Sequence, residues 1–256
     1  MIKAAFFDID GTLVSFHTHQ VSQGTKRAFA ALHAKGIRTF ISTGRPECLI
    51  PKMPLSFDGY VTMNGGYCYM NDRITYKNPL PQDEADRWLQ YVGENGLCTM
   101  LFTDHEMYVN TLEDATAIAL HEALEFQMPP RLPLEEMLGK EAYQYIAIME
   151  PDCDAEVLSL LPHCRLPRWH PQFCDIISQN NSKAVGIESI ISTLGINREE
   201  CICFGDGNND IEMLEYCGIG VAMGNANDEV KAHADYVTTS VDEEGIAHAL
   251  YELRII

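Results

Sequence analysis

Asp8 and Asp10 stand one residue apart after the largely apolar run Ile2-Lys3-Ala4-Ala5-Phe6-Phe7, and Gly11-Thr12-Leu13 follows at once. Two carboxylates this close raise each other's pKa unless a cation or hydrogen-bond donors offset the repulsion. A hard divalent cation does so well, because Mg²⁺ takes oxygen ligands and keeps positions open for a phosphate. A second acidic segment, Gly205-Asp206-Gly207-Asn208-Asn209-Asp210, also follows a short apolar run, 201–204. Between the two lie Ser42-Thr43-Gly44-Arg45, after the apolar residues 37–41, and Lys183 at the head of an amphipathic stretch. Taken singly, each segment has a plainer reading. The first aspartates could merely cap a turn in which Gly11 supplies backbone freedom, and Thr43 could merely end a strand.

The elements around these segments give them a common frame. The N-terminal run has the continuous apolar character of a parallel strand buried on both faces. Residues 22–34 read as an amphipathic helix ended near Gly36, 37–41 as a second strand, and 57–63 as a third that stops at Asn64-Gly65-Gly66. Pro46 stands where a further helix would begin. Alternation of this kind predicts βαβ units and a parallel sheet, with its ligand crevice beyond the carboxyl ends of the strands. Asp8, Thr43 and Asn64 all fall at such ends. From about Pro79 the pattern changes to helices mixed with hairpins: 98–103 against 107–110 around Asp104-His105, a helix over 113–126, a strand at 145–149, and 165–177 folded about His170-Pro171. That mixture predicts an α+β insert over 79–178. From Ser182 the alternation returns, with a helix over 183–194, a strand at 201–204, a helix over 211–216 capped by Asn208 or Asn209, a strand at 218–223 and further helices from Asn225 and Asp242. The expected fold class is α/β: a Rossmann-like parallel-sheet core over 1–78 and 179–256 carrying an inserted α+β cap over 79–178.

Composition narrows the function. With 37 Asp and Glu against 18 Lys and Arg, the formal charge is −19 and no basic run appears, which argues against nucleic acid as a partner. A phosphorylated substrate survives this argument, since a metal and a few placed cations reverse the sign locally. The cysteines are odd in number, nine, with no C-x-x-C pair, and read as small buried hydrophobes of a reducing cytoplasm. No stretch reaches the roughly 18 apolar residues of a membrane span and no cleavable leader precedes the first strand, so the expected setting is cytoplasmic, without a membrane partner. His17-Thr18-His19 lacks further ligands nearby and reads as a solvated loop.

In this order and context, Asp8-x-Asp10-Gly-Thr, Ser42-Thr43-Gly44-Arg45, Lys183 and Gly205-Asp206-Gly207-x-Asn209-Asp210 resemble the haloacid dehalogenase-like hydrolases, and among them the Cof-type phosphatases, whose cap lies between the second and third motifs. Gly220-Val221-Ala222-Met223-Gly224-Asn225-Ala226 and Glu243-Glu244-Gly245-Ile246-Ala247 are similar to the same subfamily. One departure is Ala184, where a glycine usually follows the lysine. The resemblance implies that Asp8 is a nucleophile forming an aspartyl-phosphate and that Asp10 is the general acid and base, its backbone carbonyl also on the metal. It implies Mg²⁺ as cofactor, with Asp8, Asp10, Asp206 and Asp210 as its protein ligands. Ser42, Thr43, Lys183 and Asn209 would bind the phosphoryl group, Thr43 and Lys183 sharing in catalysis. Arg45 is expected to brace its loop. The implied activity is hydrolysis of small phosphorylated metabolites, sugar phosphates first, by a monomer or homodimer whose cap selects the organic group. Trp169 and His170, and Thr103 to His105, are cap residues that could read it. A phosphosugar mutase and a non-catalytic sugar-phosphate sensor are the competing readings.

Overall fold

Strand β1 (Ala4–Phe7) is buried at all four positions. Its two phenylalanines point to opposite faces of a sheet, Phe6 stacking on Phe40 at 4.8 Å and Phe7 on Phe204 at 5.1 Å. That is why the run is apolar without alternation. The computed structural model describes residues 1–71, 73–123 and 128–256 and divides into two units.

The first unit comprises Met1–Gly44, Pro51–Lys77 and Ser182–Ile256. Helix α1 (Gln23–Ala34) starts at Ser22, whose hydroxyl accepts from Thr25 N–H, and leads to β2 (Arg38–Ser42) and β3 (Gly59–Thr62). These strands run parallel to β1, as the sequence suggests. Two strands that the sequence reading did not foresee follow, β4 (Tyr67–Met70) and β5 (Arg73–Lys77), each antiparallel to its neighbour. They form the edge of the sheet, where the half-exposed Arg73-Ile74-Thr75-Tyr76-Lys77 lacks the apolar run that marks a buried strand. The helix expected at Pro46 is only a 3₁₀ turn, Glu47–Leu49. Pro51 and Pro54 lie just beyond it, and proline restricts the residue before it to extended backbone.

The second unit takes in Asn78–Asn181 and also Arg45–Ile50, a wider span than the 79–178 of the sequence reading. It holds α2 (Gln82–Asn95), β6 (Cys98–Phe102), β7 (Met107–Val109), α3 (Ala115–Ala123), α4 (Leu134–Met137), β8 (Gln144–Ile148), α5 (Asp154–Leu160), β9 (Cys164–Arg165), β10 (Arg168–His170) and β11 (Phe173–Ser178). The end of the helix expected over 113–126 lies outside the described residues, as does the side chain of Trp169. The sheet is antiparallel, ordered β10-β11-β8-β6-β7 with β9 on β11. Trp88, Leu89 and Val92 of α2 pack on it with Tyr145, Ala147 and Ile176. The buried indole is satisfied, Trp88 Nε1 donating to Thr99 Oγ1 at 3.1 Å, whose hydroxyl donates to the Ile146 carbonyl.

Back in the first unit, α6 (Lys183–Leu194), β12 (Cys201–Gly205), α7 (Ile211–Tyr216), β13 (Ile219–Ala222), α8 (Asp228–Ala232), β14 (Tyr236–Val237) and α9 (Gly245–Glu252) complete the alternation. The sheet order is β14-β13-β12-β1-β2-β3-β4-β5. One face buries Phe6, Phe40, Ile187, Ile190 and Cys203, the other Phe7, Phe29, Val221, Ile246 and Leu250. From β1 the chain winds one way to β3, and it later returns on the other side at β12. The order therefore reverses between β1 and β12, the place beyond the strands' carboxyl ends where sheets of this kind take their ligands. Among the described residues no helix is long and apolar enough to cross a membrane.

Candidate active site

Asp8 directly follows β1, its N–H donating to the Phe204 carbonyl at 3.0 Å, and the residue is only 7% exposed. The chain then turns sharply through Gly11, at φ +78°, where Leu13 and Val14 N–H both return to the Ile9 carbonyl. A Cβ on Gly11 would stand 2.1 Å from Asp206 Oδ2, so glycine lets the first acidic loop close on the second. Thr12 Oγ1 completes that contact by donating to Asp206 Oδ1 at 2.8 Å.

Lys183 begins α6 behind the N-cap Ser182 and is buried. A lysine there opposes the helix dipole. Two carboxylates outweigh that cost: Nζ lies 2.6 Å from Asp8 Oδ1 and 2.5 Å from Asp210 Oδ1. Gly65, at φ +88°, allows the approach, since a Cβ on it would meet the Ser182 carbonyl oxygen at 1.9 Å. Asp210 Oδ2 in turn accepts from the N–H groups of Asp206 and Gly207, both at 2.9 Å. This closes the 206–210 loop on its own aspartate. Neither asparagine therefore caps α7, contrary to expectation: Asn208 Oδ1 accepts from Asn227 and Asn209 Nδ2 donates to Asn64 Oδ1 at 2.9 Å.

Electrostatics make the group short of positive charge. Burial pushes the Asp8 carboxyl well above the usual range; Lys183 pulls it down, while Asp210, Asp206 and Asp10 push it up again. Burial and then Asp210 raise Asp206 to about 7, against the hydrogen bond from Thr12. Burial disfavours the Lys183 ammonium, yet Asp210 and Asp8 outweigh it and hold the group protonated far into the alkaline range. Carboxylate oxygens of Asp8, Asp206 and Asp210 lie within 4.8 Å of one another. This all-oxygen donor set suits a hard cation such as Mg²⁺ and would not suit a soft one.

The remaining expected residues distribute as follows. Phe7 pairs with Ile41, so Asp8 and Ser42 are the next residues of adjacent strands. Ser42 is fully buried, and its Oγ has no hydrogen-bond partner among the described residues. Thr43 is buried beside it, its N–H donating to the Val61 carbonyl. Thr43 also accepts through its carbonyl from Asn64 N–H at 3.1 Å, which links it by way of Asn64 to the exposed Asn209. Asp10 is partly buried and lies outside the three-carboxylate group, although its charge is felt at both Asp8 and Asp206. Arg45 braces its loop through the Leu49 carbonyl. His17 and His19 are exposed, and all nine cysteines are free thiols. Three residues without an expected role prove central: Thr12 and Asn225, which hydrogen-bond Asp206, and Asn64, which connects two loops. Thr12 and Asn225 lie within recognised motifs and Asn64 beyond the end of β3, but their bonds run to distant segments.

With this geometry, the sequence matches the haloacid dehalogenase-like hydrolase family over residues 5–250. The chain belongs to that family. YkrA of Bacillus subtilis (strain 168) is 33% identical over 256 residues, covering 99% of this chain and 98% of that protein. Two solved structures are each 40% identical. One, from work on a trigonal-bipyramidal intermediate conserved in a phosphoryl-transfer superfamily, covers all of both chains with a TM-score of 0.94. The other, the subclass IIB sugar phosphatase BT4131, covers 99% of this chain and 100% of its own with a TM-score of 0.92. The whole α/β architecture, inserted unit included, is thus a haloacid dehalogenase-like one.

Proposed function

We propose that this haloacid dehalogenase-like hydrolase, a phosphoric monoester hydrolase, is a Mg²⁺-dependent phosphatase of small phosphorylated metabolites, sugar phosphates first, acting through an aspartyl-phosphate on Asp8. The observation that carries the reading is the buried Asp8 carboxylate, clamped by Lys183 at the strand end where Asp206 and Ser42 converge. The likeness to a sugar phosphatase supports the substrate class, and the inserted unit is assigned the selection of the organic group.

In the first step an Asp8 oxygen attacks phosphorus and the bond from phosphorus to the substrate oxygen breaks, with Asp10 donating its proton to the departing alkoxide. In the second, Asp10 takes a proton from water as the water oxygen attacks phosphorus, which frees inorganic phosphate and restores Asp8. Lys183 neutralises Asp8 and the transferring group, and the unpartnered Ser42 hydroxyl and Thr43 donate to phosphoryl oxygens. Mg²⁺, held by Asp8, Asp206 and the Asp10 carbonyl, would offset repulsion between Asp8 and the incoming phosphate. Asp210 has both oxygens committed to Lys183 and two backbone N–H groups, so we assign it to holding the lysine and the loop in place of metal ligation.

The test is phosphate release from a panel of hexose, pentose and nucleoside monophosphates with Mg²⁺, repeated with a chelator. Release from a sugar phosphate that stops on chelation is the expected result. No release from any of them overturns the reading, and conversion of a hexose phosphate to an isomer makes the protein a mutase.

Stability should carry the same signature. Asp8 and Asp206 have folded-state pKa values above their ordinary ones, Asp206 at about 7. Such groups favour the fold below the ordinary carboxylate pKa, near 4, and that stability is lost as pH rises through the raised values. The metal-free protein is therefore expected to lose stability between about pH 4 and pH 7. Mg²⁺ binds the ionised form, so its stabilisation should be larger at about pH 7.5 than at about pH 5. Thermal midpoints with chelator and with Mg²⁺ at both pH values measure this, and an equal Mg²⁺ shift at both would contradict it.

A further inference from the structure

Asn225 follows β13, the strand next to β12, and its side chain joins three segments. Nδ2 donates to the Gly11 carbonyl at 2.9 Å and to Asp206 Oδ2 at 3.1 Å, while Oδ1 accepts from Val241 N–H at 2.9 Å. Both amide protons and the carbonyl are used, which admits one orientation of the amide. Its backbone is anchored too, since the preceding Gly224 N–H donates to the Thr239 carbonyl at 3.0 Å. Thr12 holds Asp206 Oδ1 from the opposite side. A carboxylate otherwise turns through a broad torsional well, so two donors on separate oxygens fix its plane.

We propose that Asn225 is a positioning residue of the cation site, setting the Asp206 carboxylate against the nucleophile loop so that its remaining lone pairs converge with those of Asp8. The inference rests on the reading of Asp8 and Asp206 as cation ligands. Asn225 reaches no reacting atom itself. Its effect is on the affinity of the site, through a bond to Asp206 and a bond that keeps Gly11, three residues past Asp8, at a fixed distance from the second loop.

The experiment is calorimetric titration of the full-length, metal-free protein with Mg²⁺, with Mn²⁺ followed by electron paramagnetic resonance as a second probe. The variants are Asn225→Ala, Asn225→Asp and, as control, Asn227→Ala. Asn227 occupies the same loop, caps α8 through Val230 N–H and donates to Asn208, so its loss disturbs the loop while leaving Asp206 gripped. Asn225→Asp keeps an acceptor for Val241 N–H and removes the donors to Asp206 and Gly11 together, separating the bonds to the acidic loops from the one that ties down Val241; it decides the matter if the alanine variant does not fold.

Both Asn225 variants are expected to bind Mg²⁺ about 10–100-fold more weakly, with Asn227→Ala within about twofold of wild type. At saturating Mg²⁺, kcat should fall less than affinity does. Wild-type affinity in the Asn225 variants, or an equal loss in Asn227→Ala, overturns the proposal. A wild-type protein that binds neither cation overturns the cation site itself along with it.

Discussion

Asp8→Asn is expected to lower phosphate release by at least about 10³-fold while leaving the metal-free protein as stable as wild type, or more so, at neutral pH. The two halves of this expectation come from one geometry. Asparagine keeps the shape of the side chain and its place after β1, but its amide has no ionised oxygen with which to attack phosphorus. The stability half follows from sign. Burial and the charges of Asp210, Asp206 and Asp10 raise the Asp8 pKa in spite of Lys183, so the ionised form is held in the fold at a cost. That cost is largest above the raised pKa, and a neutral side chain removes it. Lys183 keeps its second partner, Asp210 at 2.5 Å, so the substitution does not strand the ammonium. Phosphate release and thermal midpoint on the same preparation measure both halves. Turnover within about tenfold of wild type would remove Asp8 from the chemistry altogether. A large fall in the midpoint would show instead that the lysine depends on Asp8 more than on Asp210.

The parts of this site that were legible in the sequence are those fixed by local pattern. β1 could be read because both its faces are buried, so that four consecutive apolar residues had no other explanation. The acidic loops could be read because each follows such a strand, and the sheet order then brings their ends together. β5 escaped for the converse reason: an edge strand with Arg73 and Lys77 exposed carries no apolar run, while the apolar, largely buried β4 follows the Asn64-Gly65-Gly66 turn with no helix between to mark it as a separate strand. The asparagines were misjudged as helix caps because the competing bonds are tertiary. Asn209 reaches Asn64 across 145 residues, and Asn208 accepts from Asn227, 19 residues on. Nothing near either residue in sequence encodes such a partner. Asp210 shows the same limit within a short span. Its type and spacing suit a metal ligand, and it does lie with Asp8 and Asp206, but one of its oxygens also accepts from Lys183 and the other from two backbone N–H groups. Spacing can deliver an acid to a crevice without saying which donors there claim its oxygens.

Lys183→Met should be the most destabilising of the single changes considered, by about 3–5 kcal/mol at neutral pH, because it leaves a buried charge without its partner. Methionine fills a similar volume, so packing on α6 is largely kept and the loss is electrostatic. Asp210 retains two backbone donors on Oδ2, but Oδ1 of both Asp8 and Asp210 loses the ammonium. In wild type the raised Lys183 pKa makes the lysine's contribution constant across the neutral range, since it disappears only as pH climbs above the ordinary lysine value. In the variant Asp8 must take up a proton to remain buried, a remedy that becomes costlier as pH rises. The deficit relative to wild type should therefore be small near pH 5 and grow towards pH 8. Mg²⁺ should recover part of it by supplying positive charge to the same oxygens. Activity is expected to stay about 10²–10³-fold down even where Mg²⁺ restores the fold, because no fixed cation then faces the transferring phosphoryl group. Urea unfolding at several pH values, with chelator and with Mg²⁺, separates these contributions. A deficit that does not vary with pH would mean that the lysine matters through packing, and the ion triad would lose its place at the centre of the site.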